Sequence, residues 1–229
     1  MDVIYCAGEQ GRVVLDILRS ADEDEGVVFG DDDPDLHGES VEGRTVVGGV
    51  NHLAAHDESV VCVVAFGDQP GVRLELASRL AEAGCEFFSA VHSSSTVSDD
   101  ASLGHGLMLN AEAYLGPGVE VGDHVLVDSC ASISHDVRIG QGATVTPGAT
   151  IAGGVVLDEN SYVGPGSTIV VAVRFHWGTA VSGVPATVSC PSLRSPFEVP
   201  TLRTSIEISC GTVSSLSNFR LPAGRSSAR

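Results

Sequence analysis

VDSCASISHDVRIGQGATVTPGATI, residues 127–151, decides how this chain folds. Val127, Ile133, Ile139, Val145 and Ile151 stand six apart in it, and small or β-branched residues follow four later at Ala131, Val137, Ala143 and Ala149. Traced outward, the period runs from Val97 to Val181 as fifteen consecutive apolar positions without an insertion. A helix repeats near 3.6 residues and an ordinary strand at 2, so neither sustains this spacing, whereas a solenoid of hexapeptides does. Three hexapeptides close a triangular coil of 18 residues, which makes the run about 4.7 coils stacked at about 4.8 Å. The apolar residue of each hexapeptide is expected to point inward, and the glycines that often follow it (Gly104, Gly116, Gly122, Gly140, Gly164) to permit the corners. The period is that of a left-handed parallel β-helix, an exception to the right-handed crossover rule.

Upstream the pattern changes to short apolar runs at residues 3–6, 27–29 and 60–65, with helical spacing between them. One helix is expected after Gly8-Glu9-Gln10-Gly11, with Val13, Val14, Ile17 and Leu18 on its inner face, and another over residues 73–83. Strands separated by helices predict parallel βαβ packing. The fold class is therefore an α/β N-terminal domain with a small Rossmann-like parallel sheet (1–90), followed by the left-handed β-helix (91–186). Ligands of such sheets lie beyond the carboxyl ends of the strands. The candidate binding residues there are Gly8 and Gly11, Asp31 and Asp32, and Gly67 and Asp68. The G-x-G-x-x-G fingerprint of a dinucleotide site is absent.

Composition narrows the partners. The 229 residues carry 30 Asp and Glu against 12 basic residues, all Arg, for a formal charge of −18. Duplex nucleic acid and anionic lipid are poor partners for that surface, and the longest apolar run, residues 60–66, is far short of a membrane span. A carboxylate-rich surface without Lys suits a halophilic cytoplasm, since salt screens its self-repulsion. The six cysteines form no C-x-x-C pair and no secretory signal opens the chain, which predicts reduced thiols and a cytoplasmic protein. Residues 187–229 differ from the rest, with 5 Arg against 2 acids, 10 Ser and no periodicity, and are expected to be a disordered tail.

The chemistry concentrates at Ile133-Ser134-His135-Asp136-Val137. His135 falls two residues beyond an inward Ile, so the expectation is a corner imidazole open to solvent or to a neighbouring chain. Asp136 beside it is able to orient the ring and stabilise its cation; a solvated His-Asp turn without function is the alternative. Gly153 lies 18 residues after His135, one coil along the axis, and Gly153-Gly154 suits close approach of a ligand to backbone. His52 and His56 have i, i+4 spacing but no third ligand, and no metal site is expected there.

The order of Cys6-Ala7-Gly8-Glu9-Gln10-Gly11-Arg12-Val13-Val14, Phe29-Gly30-Asp31-Asp32-Asp33, Gly67-Asp68, Val91-His92, the hexapeptides, His135-Asp136 and Gly183-Val184-Pro185-Ala186 resembles the sialic-acid O-acetyltransferase and bacillosamine N-acetyltransferase family over residues 1–186. The resemblance implies a homotrimer, with acetyl-CoA between adjacent β-helices and a nucleotide sugar held partly by the N-terminal domain. It implies His135 as general base, Asp136 as the group raising its basicity, and the Gly153 N–H as a contact of the acetyl carbonyl. The position nine after the base, usually His near acetyl-CoA, is Thr144 here; Asp128 replaces a common Asn, and Glu9 and Gln10 replace Gly and His of the first turn. Two other functions fit a trimeric β-helix: a zinc carbonic anhydrase using His105, His124 and His135, and a scaffold without catalysis.

Overall fold

The computed structural model describes residues 1–67, 69 and 71–169, with two further strands at Arg174–Phe175 and Ala180–Val181. Asp68, the Gly183-Val184-Pro185-Ala186 motif and the tail at 187–229 lie outside the described residues.

The N-terminal part follows the order β1 (Asp2–Tyr5), α1 (Glu9–Ser20), β2 (Val28–Gly30), a hairpin of β3 (Ser40–Val41) and β4 (Arg44–Thr45), α2 (Val50–Ala54), β5 (Val61–Val64), α3 (Val72–Glu82) and β6 (Glu86–Phe87). Its sheet runs β2-β1-β5-β6, all parallel, with Val3 opposite Val28 and Ile4 opposite Val63. Val3, Ile4 and Tyr5 are all buried, because both faces of β1 are covered and alternation gives way to a continuous apolar run. On α1 the buried stripe is Gly11, Val14, Leu15, Ile17 and Leu18. Val13, expected inside, faces solvent, and Leu15 takes its place because it completes the i, i+3, i+4 stripe.

The second part is a triangular solenoid whose three faces are parallel sheets. The first face contains Ala90–Val91, Met108–Leu109, Leu126–Val127 and Thr144–Val145; the second contains Tyr114–Leu115, Ser132–Ile133 and Thr150–Ile151; the third contains Glu120–Val121, Arg138–Ile139 and Val156–Leu157. Each strand pairs with the one 18 residues later, as Leu109 with Val127 and Val127 with Val145. The six-residue column points inward, and so does the small-residue column: Leu115, Ile133, Ile151, Ala131, Val137 and Ala149 have no exposed surface.

The corners differ from expectation. The left-handed residue falls three positions after the inward one, at Gly118, Asp136 and Gly154 along one edge. Glycine directly after the inward residue serves another purpose, close stacking of coils: a Cβ on Gly140 would lie 2.5 Å from the Glu159 nitrogen. Asp136 adopts φ +56 without being glycine, and its N–H donates to the Pro117 carbonyl of the preceding coil at 2.9 Å. Asp is among the few residues that tolerate this region.

The N-terminal part docks on the first face. Met108 and Leu126, whose side chains point out of the solenoid, share one core with Ile4, Val14 and Leu18. Burying each contributes on the order of 1.5–3 kcal/mol. The edge where the second and third faces meet is therefore the one opposite the docked domain. No helix among the described residues is long and apolar enough to cross a membrane.

Candidate active site

His135 and Asp136 occupy that opposite edge. The His135 Nδ1 donates to Asp136 Oδ2 at 2.8 Å, the assignment that an ionised carboxylate requires. Both side chains are open, 64% and 74% exposed, so the carboxylate orients a solvent-facing ring. With Nδ1 occupied, Nε2 carries the free lone pair. The His135 carbonyl is fixed in turn, accepting from the Gly154 N–H at 3.0 Å.

Gly153 lies against the ring, as the 18-residue spacing predicts. A Cβ there would stand 2.5 Å from His135 Cε1 and Nε2, inside any real contact distance. One coil in the other direction, a Cβ on Gly118 would stand 2.9 Å from Asp136 Oδ1. Two missing side chains thus leave the room in which the imidazole and carboxylate sit. The Gly153 N–H pairs with no group among the described residues, so this edge holds a potential proton acceptor and a free backbone donor side by side. That is the minimum for attack on a carbonyl: a base for the nucleophile and a donor for the developing oxyanion.

The loops expected to bind ligand also converge, at the carboxyl edge of the N-terminal sheet, but their side chains have unequal roles. Asp31 ties them together: its Oδ2 accepts from the Ala7 N–H at 2.8 Å and its Oδ1 from the Asp33 N–H at 2.9 Å. Asp32 pairs with Arg79 at 2.8 Å and accepts from the Val50 N–H. Gly11 is a packing glycine, since a Cβ would run into the Cys6 carbonyl. Gly8 has open space around it, and Gly67 lies where Gln10 of α1 and Leu126 of the solenoid approach, at 3.3 and 3.6 Å from its Cβ position.

Thr144 is not brought to His135. It projects from the first face, under the docked domain, and only 3% of it is exposed. Its hydroxyl accepts a hydrogen bond from Arg73 at 2.9 Å. The parity of the strand explains this: nine residues after His135 is an outward position of the face that the N-terminal domain covers. His124 and His105 lie at the corner between the third and first faces, away from the edge of His135, and His124 is buried with its ring edge-on to Phe87. Burial depresses its pKa, an effect that outweighs the attraction of nearby Asp123. Among the described residues no three His, Cys, Asp or Glu groups cluster as metal ligands, and Cys6, Cys62, Cys85 and Cys130 form no disulfide.

Sequence reading missed Arg73. It is 2% exposed, and its guanidinium donates to the carbonyls of Phe66, His124, Gly142 and Ala143 at 2.6–2.9 Å as well as to Thr144. Burial lowers its pKa to about 10, which leaves it charged near neutrality. No local motif announces it, because its partners are mostly backbone oxygens 51 to 70 residues away.

Comparison with known proteins agrees with this architecture in both parts. Residues 3–80 match the PglD N-terminal domain and residues 136–170 the bacterial transferase hexapeptide (six repeats). No curated protein matches the chain significantly. Among solved structures, the acetyltransferase domain of PglB from Neisseria gonorrhoeae, in complex with acetyl coenzyme A, is 26% identical with a TM-score of 0.71, over 81% of this chain and 97% of that one. PerB from Caulobacter crescentus, in complex with CoA and GDP-perosamine, is 25% identical with a TM-score of 0.64, over 82% and 97%. WeeI from Acinetobacter baumannii shares the fold at 22% identity and a TM-score of 0.72, over 80% and 88%. The resemblance to sugar acetyltransferases of the PglD type thus spans the α/β domain and the solenoid.

Proposed function

We propose that this chain transfers an acetyl group from acetyl-CoA to an amine or hydroxyl of a nucleotide-linked amino sugar or a related sugar, with His135 as general base. The observation that carries the reading is the stack of Gly153 on a His135 ring already oriented by Asp136. The relatives support the substrate class: PglB is bound to acetyl coenzyme A and PerB to CoA and GDP-perosamine.

In this mechanism His135 Nε2 takes the proton that the acceptor sheds as it attacks the thioester carbonyl. The Gly153 N–H receives the charge growing on the carbonyl oxygen, and the imidazolium returns the proton to the departing sulfur. Asp136 holds the ring and stabilises its cation during the interval. Gly8 and Gly67 border the acceptor, while Asp31 and Asp32 shape the loops around it.

The acceptor edge belongs to a domain docked on the first face, and His135 occupies the edge opposite. An acceptor held by one chain therefore meets the base of another, and the 64% exposure of the ring leaves a wall for a neighbouring chain to supply. We accordingly propose a homotrimer, working in a salt-rich cytoplasm that its charge of −18 suits. Light scattering in molar KCl is expected to show three chains of 23.5 kDa; an active monomer contradicts the assembly.

Screening nucleotide-linked amino sugars and sialic acid with acetyl-CoA, reading thiol release in molar KCl, tests the activity. A scaffold gives neither thiol release nor a thermal shift with acetyl-CoA, and a carbonic anhydrase loses CO2 hydration to chelators. Asp136→Asn is expected to lower kcat about 10- to 10²-fold, less than loss of the base, because an exposed ring retains a proton-accepting nitrogen after its orienting partner is weakened. An unchanged kcat assigns the pair to a solvated turn.

A further inference from the structure

Arg73 is a buried charge that the chemistry above does not use, and among the described residues every hydrogen bond it makes goes to a neutral oxygen. Retaining a guanidinium in such a place costs desolvation that an apolar residue of similar volume avoids. Its partners show what the fork spans. Nη1 donates at 2.6 Å to the Phe66 carbonyl, immediately before Gly67 in the loop that leads from β5 to α3. Nε reaches the His124 carbonyl at 2.6 Å, and Nη2 reaches Gly142, Ala143 and Thr144 at 2.9 Å, so two successive coils of the solenoid are held by one side chain.

The neighbouring contacts make this junction tight. A Cβ on Gly142 would stand 2.6 Å from Leu74 Cγ, the residue after Arg73, and Phe87 packs edge-on against His124 at 4.5 Å between centroids. Gly67 itself abuts Gln10 at the start of α1 and Leu126 on the first face. A planar fork with donors in fixed directions sets a geometry that an apolar contact does not.

We propose that Arg73 is a positioning residue, pinning the acceptor loop after β5 to the solenoid so that delivery of the acceptor depends on it and acetyl-CoA chemistry does not. The inference rests on the acetyltransferase reading but concerns a residue remote from the reacting atoms. It also gives Thr144 a role different from the one its resemblance implies, as an acceptor for the pin.

Three variants test it: Arg73→Met, which keeps the aliphatic stem; Arg73→Lys, which keeps the charge without the fork; and Thr144→Val, which removes one partner at nearly constant shape and guards against misfolding of the others. Steady-state KM for acceptor and for acetyl-CoA are measured separately, with amide exchange across residues 66–75. Arg73→Met is expected to raise acceptor KM about 10-fold or more, to leave acetyl-CoA KM within about two-fold, and to accelerate exchange in that segment. Arg73→Lys is expected to fall between it and the parent, and Thr144→Val to move only acceptor KM, by a smaller factor. Equal rises in both KM values make Arg73 an ordinary stabilising residue, and a selective rise in acetyl-CoA KM for Thr144→Val returns that hydroxyl to the cofactor; either overturns the proposal. A parent without transfer to any sugar removes the function and the proposal together, whereas an active parent with indifferent variants removes the proposal alone.

Discussion

His135→Ala is expected to lose 10²- to 10⁴-fold in kcat, the typical worth of a positioned general base, while acetyl-CoA binding and the melting temperature stay near those of the parent. The ring is 64% exposed and packs into no core, so its removal creates no cavity and leaves no buried partner unpaired. Among the described residues its one side-chain hydrogen bond goes to Asp136, itself exposed and able to exchange the imidazole for water. Stability and catalysis therefore separate cleanly at this residue. Single-turnover thiol release and calorimetry on the same preparation check both halves, and transfer at the parent rate removes His135 from the mechanism.

Gly153→Ala is expected to cost about 10²-fold or more in kcat, the scale of an ångström-sized misplacement of a reacting group, although the substitution adds only a methyl. Gly153 is not among the glycines with positive φ, so alanine meets no backbone penalty there. The conflict is with the ring: a Cβ 2.5 Å from Cε1 and Nε2 forces His135 to swing away from the free N–H of Gly153. The matched control is Gly148→Ala, which has open space but φ +68. That variant is expected to lower the melting temperature through backbone strain and to keep kcat, the opposite signature. A Gly153→Ala enzyme as fast as its parent would falsify the stacked arrangement as the catalytic one.

The solenoid is legible in the sequence because its core is one-dimensional. Each inward side chain contacts the residue 18 positions away, so a spatial column becomes a sequence period, and the period alone places Leu115, Ile133 and Ile151 in one column. The same arithmetic locates Gly153 beside His135. It reaches no further than the solenoid itself. Which face carries the N-terminal domain depends on outward residues such as Met108 and Leu126, which read as ordinary strand positions until Ile4, Val14 and Leu18 are packed against them. The family resemblance puts Thr144 near the thioester, and spacing along the chain does not say that its face is the covered one. Arg73 is invisible for a related one: backbone carbonyls carry no residue identity. In the N-terminal sheet the long strands are legible, whereas β6 and α2, at two and five residues, are too short to establish a period of their own.

The three-sided cross-section also acts as a dial. Inserting 18 residues between Leu126 and His135 would change the height of the catalytic edge above the docked domain and nothing about its direction. A change of six would turn the histidine by a third of a revolution, carrying it to a corner bordering the docked face. A change that is not a multiple of six would break the inward column and the fold with it. Among relatives that vary in length, gaps in this region are thus constrained to whole coils by chemistry and to whole hexapeptides by folding, two distinct filters acting on one alignment.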